Sequence, residues 1–190
     1  MEAWAAITWT EARQITDLME LEAADMPDPG VTPQDYYRNA REREDLETAV
    51  LFLGHALPRY EGAAWAAHRL GEMAASCSLG QADRQALDHS LRWVGEPSEE
   101  HRRAAFRAHE TATDGGPERL LSLAVFMTGG SLAPADLPPV LPEPALSGRL
   151  AACALIVAAH RSGDARTALL RSLELGEKVA ARGLDALPIR

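Results

Sequence analysis

The chain reads as an all-α protein: a single-domain helical bundle of about eight helices, or a short α-solenoid, with an ordered proline-rich strap. Three observations predict this. Of 190 residues 46% are hydrophobic but only 5% are aromatic, so the core must be filled largely by Ala and Leu, which have high helix propensity and let helices approach closely. Between Leu46 and Leu70 two apolar helical patterns meet at Pro58. Elsewhere capping residues, prolines and glycines punctuate the apolar stretches at helix-length intervals. No stretch loses apolar content for long enough to demand a second domain, so residues 1–190 are expected to form one.

Residues 1–9 carry Trp4 and Trp9 without helical periodicity and are expected to be an extended arm whose indoles dock on the body. Thr10 is a plausible N-cap for a helix to about Ala24, broken by Met26 to Gly30. Thr32 then caps a short charged helix with Pro33 at its first position, running to about Arg41. The central helix begins near Asp45: Leu46, Val50, Leu53 and Leu57 recur on one face, and Leu51 and Phe52 widen it until little polar surface remains. Pro58 cannot continue that helix but suits the first turn of the next, in which Tyr60, Ala63, Ala64, Trp65 and Ala67 supply a second apolar face. This second arm of the hairpin is expected to reach about Ser78.

Gln81 to Val94 repeats apolar residues at Ala86, Leu87, Leu91 and Val94 and ends at Gly95 and Pro97. Ser98 precedes a helix whose first turn carries Glu99 and Glu100, where acids complement the macrodipole. Gly115 and Gly116 close it, and Pro117 starts a dense apolar helix. Residues 128–146 contain five prolines, which remove donors and impose extended geometry, yet retain Leu132, Leu137, Val140, Leu141 and Leu146. A solvated linker gains nothing from these aliphatics, so the stretch is read as a strap docked across the helices, with display to a partner's aromatic groove as the competing reading. Two antiparallel helices finish the chain, Ser147 to Arg161 and Asp164 to Arg182, joined by Ser162 and Gly163.

The formal net charge of −9 opposes nonspecific binding to a nucleic-acid backbone, because that affinity comes from Lys and Arg neutralising phosphates. No export signal is visible at the N-terminus, and the apolar run from Leu150 to Ala159 is about half the roughly 20 residues of a spanning helix. The expectation is a cytoplasmic protein that engages neither membrane nor nucleic acid. Cys77 and Cys153 lie within apolar helical patterns and are read as reduced, buried thiols.

No set of residues converges on catalysis. The six histidines form no zinc spacing; His68 and Glu72 share a helix face, but two ligands do not make a site. Gly129, Gly130 and Ser131 lack the lysine, the strand and the helix of a phosphate loop, and the plainer reading is a sharp helix exit with glycine at positive φ. The run holding Glu99, Arg102, Arg103 and Arg107 reads as a solvated face. Neither a metal nor a cofactor is assigned. Arg59 and Trp65 flank the hairpin bend, where they form either an anchor for a partner or a structural pair, with Trp65 buried in the core and Arg59 capping a neighbouring carbonyl. Leu137 and Val140 of the strap complete the set of candidate partner-binding residues.

Three segments, ALPRYEGAAWA at Ala56 to Ala66, EPSEEHRRAAF at Glu96 to Phe106 and AVFMTGGSLAPADLPPV at Ala124 to Val140, resemble a family of uncharacterised bacterial helical proteins, a domain of unknown function often encoded near type VI secretion genes. The resemblance covers roughly Asp45 to Gly183. In the family pattern a second basic residue often follows LPR and a paired Trp often stands later; here Tyr60 and the single Trp65 occupy those places. The resemblance brings no catalytic residue and implies an accessory or adaptor role in a secretion apparatus. The leading functional expectation is a cytoplasmic protein–protein interaction module with a protein partner, self-association being left open. Its rival is an enzyme or small-molecule binder with a site assembled around His55, Arg59 and His68.

Overall fold

Side-chain caps and prolines set most of the helix starts. Thr32 Oγ1 accepts the Asp35 N–H at 3.1 Å, with Pro33 in the first helical position. Asp45, Ser98 and Asp164 likewise accept the N–H groups of Thr48, His101 and Thr167, satisfying donors that a helix N-terminus leaves without partners. The computed structural model describes residues 2–134 and 136–187. Met1 of the expected arm, Ala135 of the strap and the last three residues lie outside the described residues.

Among the described residues every regular element is helical: α1 (Ala12–Leu18), α2 (Pro33–Glu42), α3 (Leu46–Ala56), α4 (Arg59–Ala74), α5 (Gln81–Gly95), α6 (Glu99–His109), α7 (Pro117–Phe126), α8 (Leu146–Arg161) and α9 (Ala165–Arg182), with a 3₁₀ turn at Gly183–Ala186. The all-α reading holds, with nine α-helices rather than about eight. Several boundaries differ from expectation: the N-cap of α1 is Glu11 and not Thr10, and α6 ends at His109, well before Gly115. The first helix stops at Leu18, because Glu20 adopts a left-handed φ of 58° and Arg149 of α8 supplies a donor to the Leu18 carbonyl at 3.1 Å. The fourth stops at Ala74, where Ser76 Oγ donates to the Met73 carbonyl and so competes with continuation of the backbone ladder. Cys77 therefore lies beyond the helix and is exposed, not buried; Cys153 is half-buried, and both thiols are free.

The hub of the packing is α8, which is apolar almost all round and touches α3, α4, α7 and α9. Contacts between elements so far apart in sequence are those of a bundle, since in a solenoid each repeat meets only its neighbours. Leu53, Trp65, Leu70, Leu121, Leu155 and Leu173, drawn from five helices, are all essentially inaccessible. Trp65 is fixed at its polar end as well, its Nε1 donating to the Ser172 carbonyl of α9 at 2.7 Å. Glycine makes two approaches possible. At Gly54 and Gly148 the backbones of α3 and α8 touch, and at Gly176 α9 rests on Leu53 and the Trp65 ring. A second, smaller group forms where α5, α6 and α7 pack on one another, with Trp93, Ala105 and Val125 buried between them and Ala63 of α4. The stretch before α1 lies against α2 and α9: the Ala6 N–H donates to the Ala180 carbonyl at 2.9 Å, and Trp4 meets Tyr37 edge-on at 4.9 Å.

Candidate functional site

An arginine side chain needs acceptors wherever it is buried, and the acceptors of Arg102 explain how the proline-rich strap is held. The Arg102 side chain is 5% exposed. Its Nη1 donates to the Phe126 carbonyl at 2.5 Å and its Nη2 to the Ser131 carbonyl at 2.8 Å. The guanidinium also lies 4.5 Å from the centre of the Phe126 ring, a favourable cation–π arrangement. Arg103 adds bonds to the Ser131 and Ala133 carbonyls at 3.1 and 2.8 Å, and Arg59 reaches the Thr128 carbonyl at 3.3 Å. Glu99 holds both Arg102 and Arg103 from behind, and these two cations keep its carboxyl below the ordinary value. The cations sit at the C-terminal end of α7, where the helix dipole favours them. The run expected to be a solvated face is thus, at Arg102, a buried anchor.

Gly130 is required there twice over. Its φ is 68°, a conformation glycine adopts without strain, and a Cβ would come within 2.8 Å of Arg102 Nη2. The sharp helix exit expected at Gly129 to Ser131 is what the chain forms. Beyond it the loop closes on itself: the Leu132 N–H donates to the Val140 carbonyl at 2.8 Å, and Ser131 Oγ accepts the N–H groups of Ala133 and Val140. This is the compact closed geometry of an Ω-type loop.

Of the five aliphatic side chains of this stretch, Leu132 and Leu146 are half-buried and the other three do not dock. Leu137, Val140 and Leu141 are 55%, 54% and 75% exposed, which overturns the expectation that their burial holds the strap down. Carbonyl groups accepting from Arg59, Arg102 and Arg103 hold it, together with the buried Pro142. Asp136 and Glu143 are exposed beside them, so the displayed surface is apolar with an acidic edge.

The other candidates separate. Trp65 is wholly enclosed, so of its two readings the core one describes it and the partner-anchor reading is set aside. Arg59 is half-buried on the strap. His55 and Arg59 do line one cleft of about 420 Å³, with Trp9, Pro144 and Gly148, but His68 lies nine residues farther along α4, about 13 Å at helical rise, and does not line it. Arg102 and Arg103 were missed as anchors; two adjacent arginines answered by one preceding glutamate were the only local hint. No group of three or more His, Cys, Asp or Glu side chains among the described residues could hold a metal ion.

A family profile matches residues 36–180. The chain belongs to DUF6931, a family of unknown function. The span matched to DUF6931 begins inside α2 and ends inside α9, so it contains the hub helix, the arginine anchors and the whole loop, while the arm and α1 fall before it. No curated protein and no solved structure is similar to the chain. No helix among the described residues is long and apolar enough to cross a membrane.

His55 carries a prediction of its own. Its Nδ1 donates to the Leu51 carbonyl at 2.8 Å, which leaves Nε2 as a buried acceptor without a partner among the described residues. Burial lowers the imidazole from its ordinary value of 6.5, with the charge of Arg149 acting the same way and the Leu51 bond and Glu20 opposing. The unfolded chain therefore takes up this proton first as pH falls. The contribution of His55 to stability should be fully present above pH 6.5 and decline below it until the folded imidazole also protonates. Melting temperatures across that range should fall less steeply for His55→Gln; equal slopes would remove His55 from the account.

Proposed function

We propose that this protein is an interaction module whose ligand is its own proline-rich loop, presented to a protein partner with an aromatic-lined groove and a basic rim. The observation that carries this reading is the outward display of Leu137, Val140 and Leu141 on a backbone fixed by Arg59, Arg102 and Arg103. An ordinary loop has no need of three exposed aliphatics within five residues, and contiguous exposed apolar surface marks interaction sites. Prolines reduce the entropy lost on binding, so a groove that accepts extended proline-rich chain captures it cheaply. Asp136 and Glu143 favour positive charge at the edge of that groove. The accessory role beside a type VI secretion apparatus, implied by the resemblance, and the cytoplasmic setting, expected from the N-terminal sequence and the short apolar run, belong to the same proposal.

The test is affinity purification from the native organism with the intact chain and with Leu137→Asp/Val140→Asp/Leu141→Asp. These positions are exposed, so each change should alter stability by no more than about 0.5 kcal/mol, and the variant should melt with the parent. A protein retained by the parent and lost by the variant is the expected result. Identical sets of retained proteins would overturn the loop as the ligand.

A further inference from the structure

A second cleft lies at the opposite end of α8 from the loop, about 24 Å away along the helix. It has a volume of about 590 Å³, and three arginines from three different helices line it: Arg69 of α4, Arg161 of α8 and Arg171 of α9. Such convergence is unexpected in a chain of net charge −9. Two of the three are fixed from behind. The Arg69 side chain is 7% exposed and donates from Nε to Ser172 Oγ at 3.3 Å while pairing with Glu72 through Nη1. Arg161 donates from Nη1 and Nη2 to the two oxygens of Glu118 at 2.8 and 2.5 Å, and Glu118 is wholly buried in the first turn of α7.

A guanidinium has five N–H donors, so each of these side chains keeps three that those bonds do not use. The acids of the lining are already engaged: Glu72 by Arg69, and Asp164 by the Thr167 N–H at 3.1 Å, a bond that holds the Asp164 carboxyl below its ordinary value. Arg171 is exposed at the mouth. We infer that this cleft binds a small phosphorylated molecule. A tetrahedral oxyanion accepts hydrogen bonds from several directions at once, which suits donors on three helices, whereas a planar carboxylate is matched by one guanidinium in its own plane. The volume exceeds what one phosphate fills, and Met73, Ala158 and Ala168 give an organic body an apolar wall.

Inorganic pyrophosphate is the probe, with succinate as the planar-carboxylate comparison, both titrated calorimetrically into the full chain. Cys77 is exposed and lines the same cleft, so its alkylation by neutral iodoacetamide, followed by mass spectrometry, reports occupancy independently. The expected result is saturable pyrophosphate binding that slows alkylation of Cys77, with affinity reduced roughly tenfold to a hundredfold in Arg171→Ala, the range for one charge-assisted hydrogen bond. Arg171 is exposed, so that variant should melt with the parent. Absence of binding, binding that leaves Cys77 reactivity or the Arg171→Ala affinity unchanged, or equal affinity for succinate would each overturn the assignment.

Discussion

Gly54→Ala should destabilise the protein by about 3 kcal/mol, although alanine in a helix interior ordinarily gains up to about 1 kcal/mol over glycine. The reason is the contact between α3 and α8. A Cβ at Gly54 would stand 2.7 Å from the Gly148 carbonyl oxygen and 2.8 Å from Ala152 Cβ, and a Cβ at Gly148 would approach the Gly54 carbonyl more closely still. Neither neighbour is the end of a flexible side chain, so relief requires the two helices to part along the centre of the core, where packing density leaves no slack. For a chain of this size the loss corresponds to a fall of about 6 to 12 °C in melting temperature. Gly95→Ala is the control: nothing lies within 4 Å of a Cβ there, and that variant should melt at or slightly above the parent. If both alanine variants melt together, the helices are not in backbone contact.

Arg161→Ala should cost about 3 kcal/mol, and more than Glu118→Gln. The two side chains make one bidentate pair, but their surroundings differ: Glu118 is wholly buried and the Arg161 side chain is 36% exposed. Removing the arginine leaves a carboxylate inside the protein with only the first turn of α7 to compensate it, whereas removing the carboxylate's charge leaves a guanidinium that water reaches. The side-chain bond to Glu118 raises Arg161 above its ordinary value despite partial desolvation, consistent with a pair that favours its charged form. Glu118→Gln keeps one acceptor for Arg161 and should cost about 1.5 kcal/mol. Denaturant titration of both variants checks the order; a reversed order would mean that the arginine and not the carboxylate bears the cost of burial.

Local chemistry made most helix starts legible. Pro58, Thr32 with Pro33, Ser98 and Asp164 each act through groups within a few residues, so the sequence carries the whole instruction. The end of α1 was less so, because Leu18 finds its donor on Arg149, far along the chain, and no periodicity records that. The loop was half legible. Its composition announced an ordered, irregular segment, but an extended proline-rich chain has no helical or strand period to say which side chains face inward, and Leu137, Val140 and Leu141 turned out to face solvent. Arg102 shows the same limit: its i,i+3 pair with Glu99 is local, while the Ser131 carbonyl it holds is 29 residues away. The arginines of the large cleft come from α4, α8 and α9 and share no local motif.

The bond between the Trp65 indole and the Ser172 carbonyl spans 107 residues, and this has a consequence for biosynthesis. At ordinary rates of translation the ribosome needs roughly 5 to 20 s to make that length of chain. For most of that interval α3 and α4 exist without α8 and α9, and Leu53, Trp65 and Leu70 lack the packing that those two helices supply. A nascent chain in that state exposes the apolar surface that holding chaperones recognise, and a product truncated before α8 should be cleaved by protease faster than the full chain.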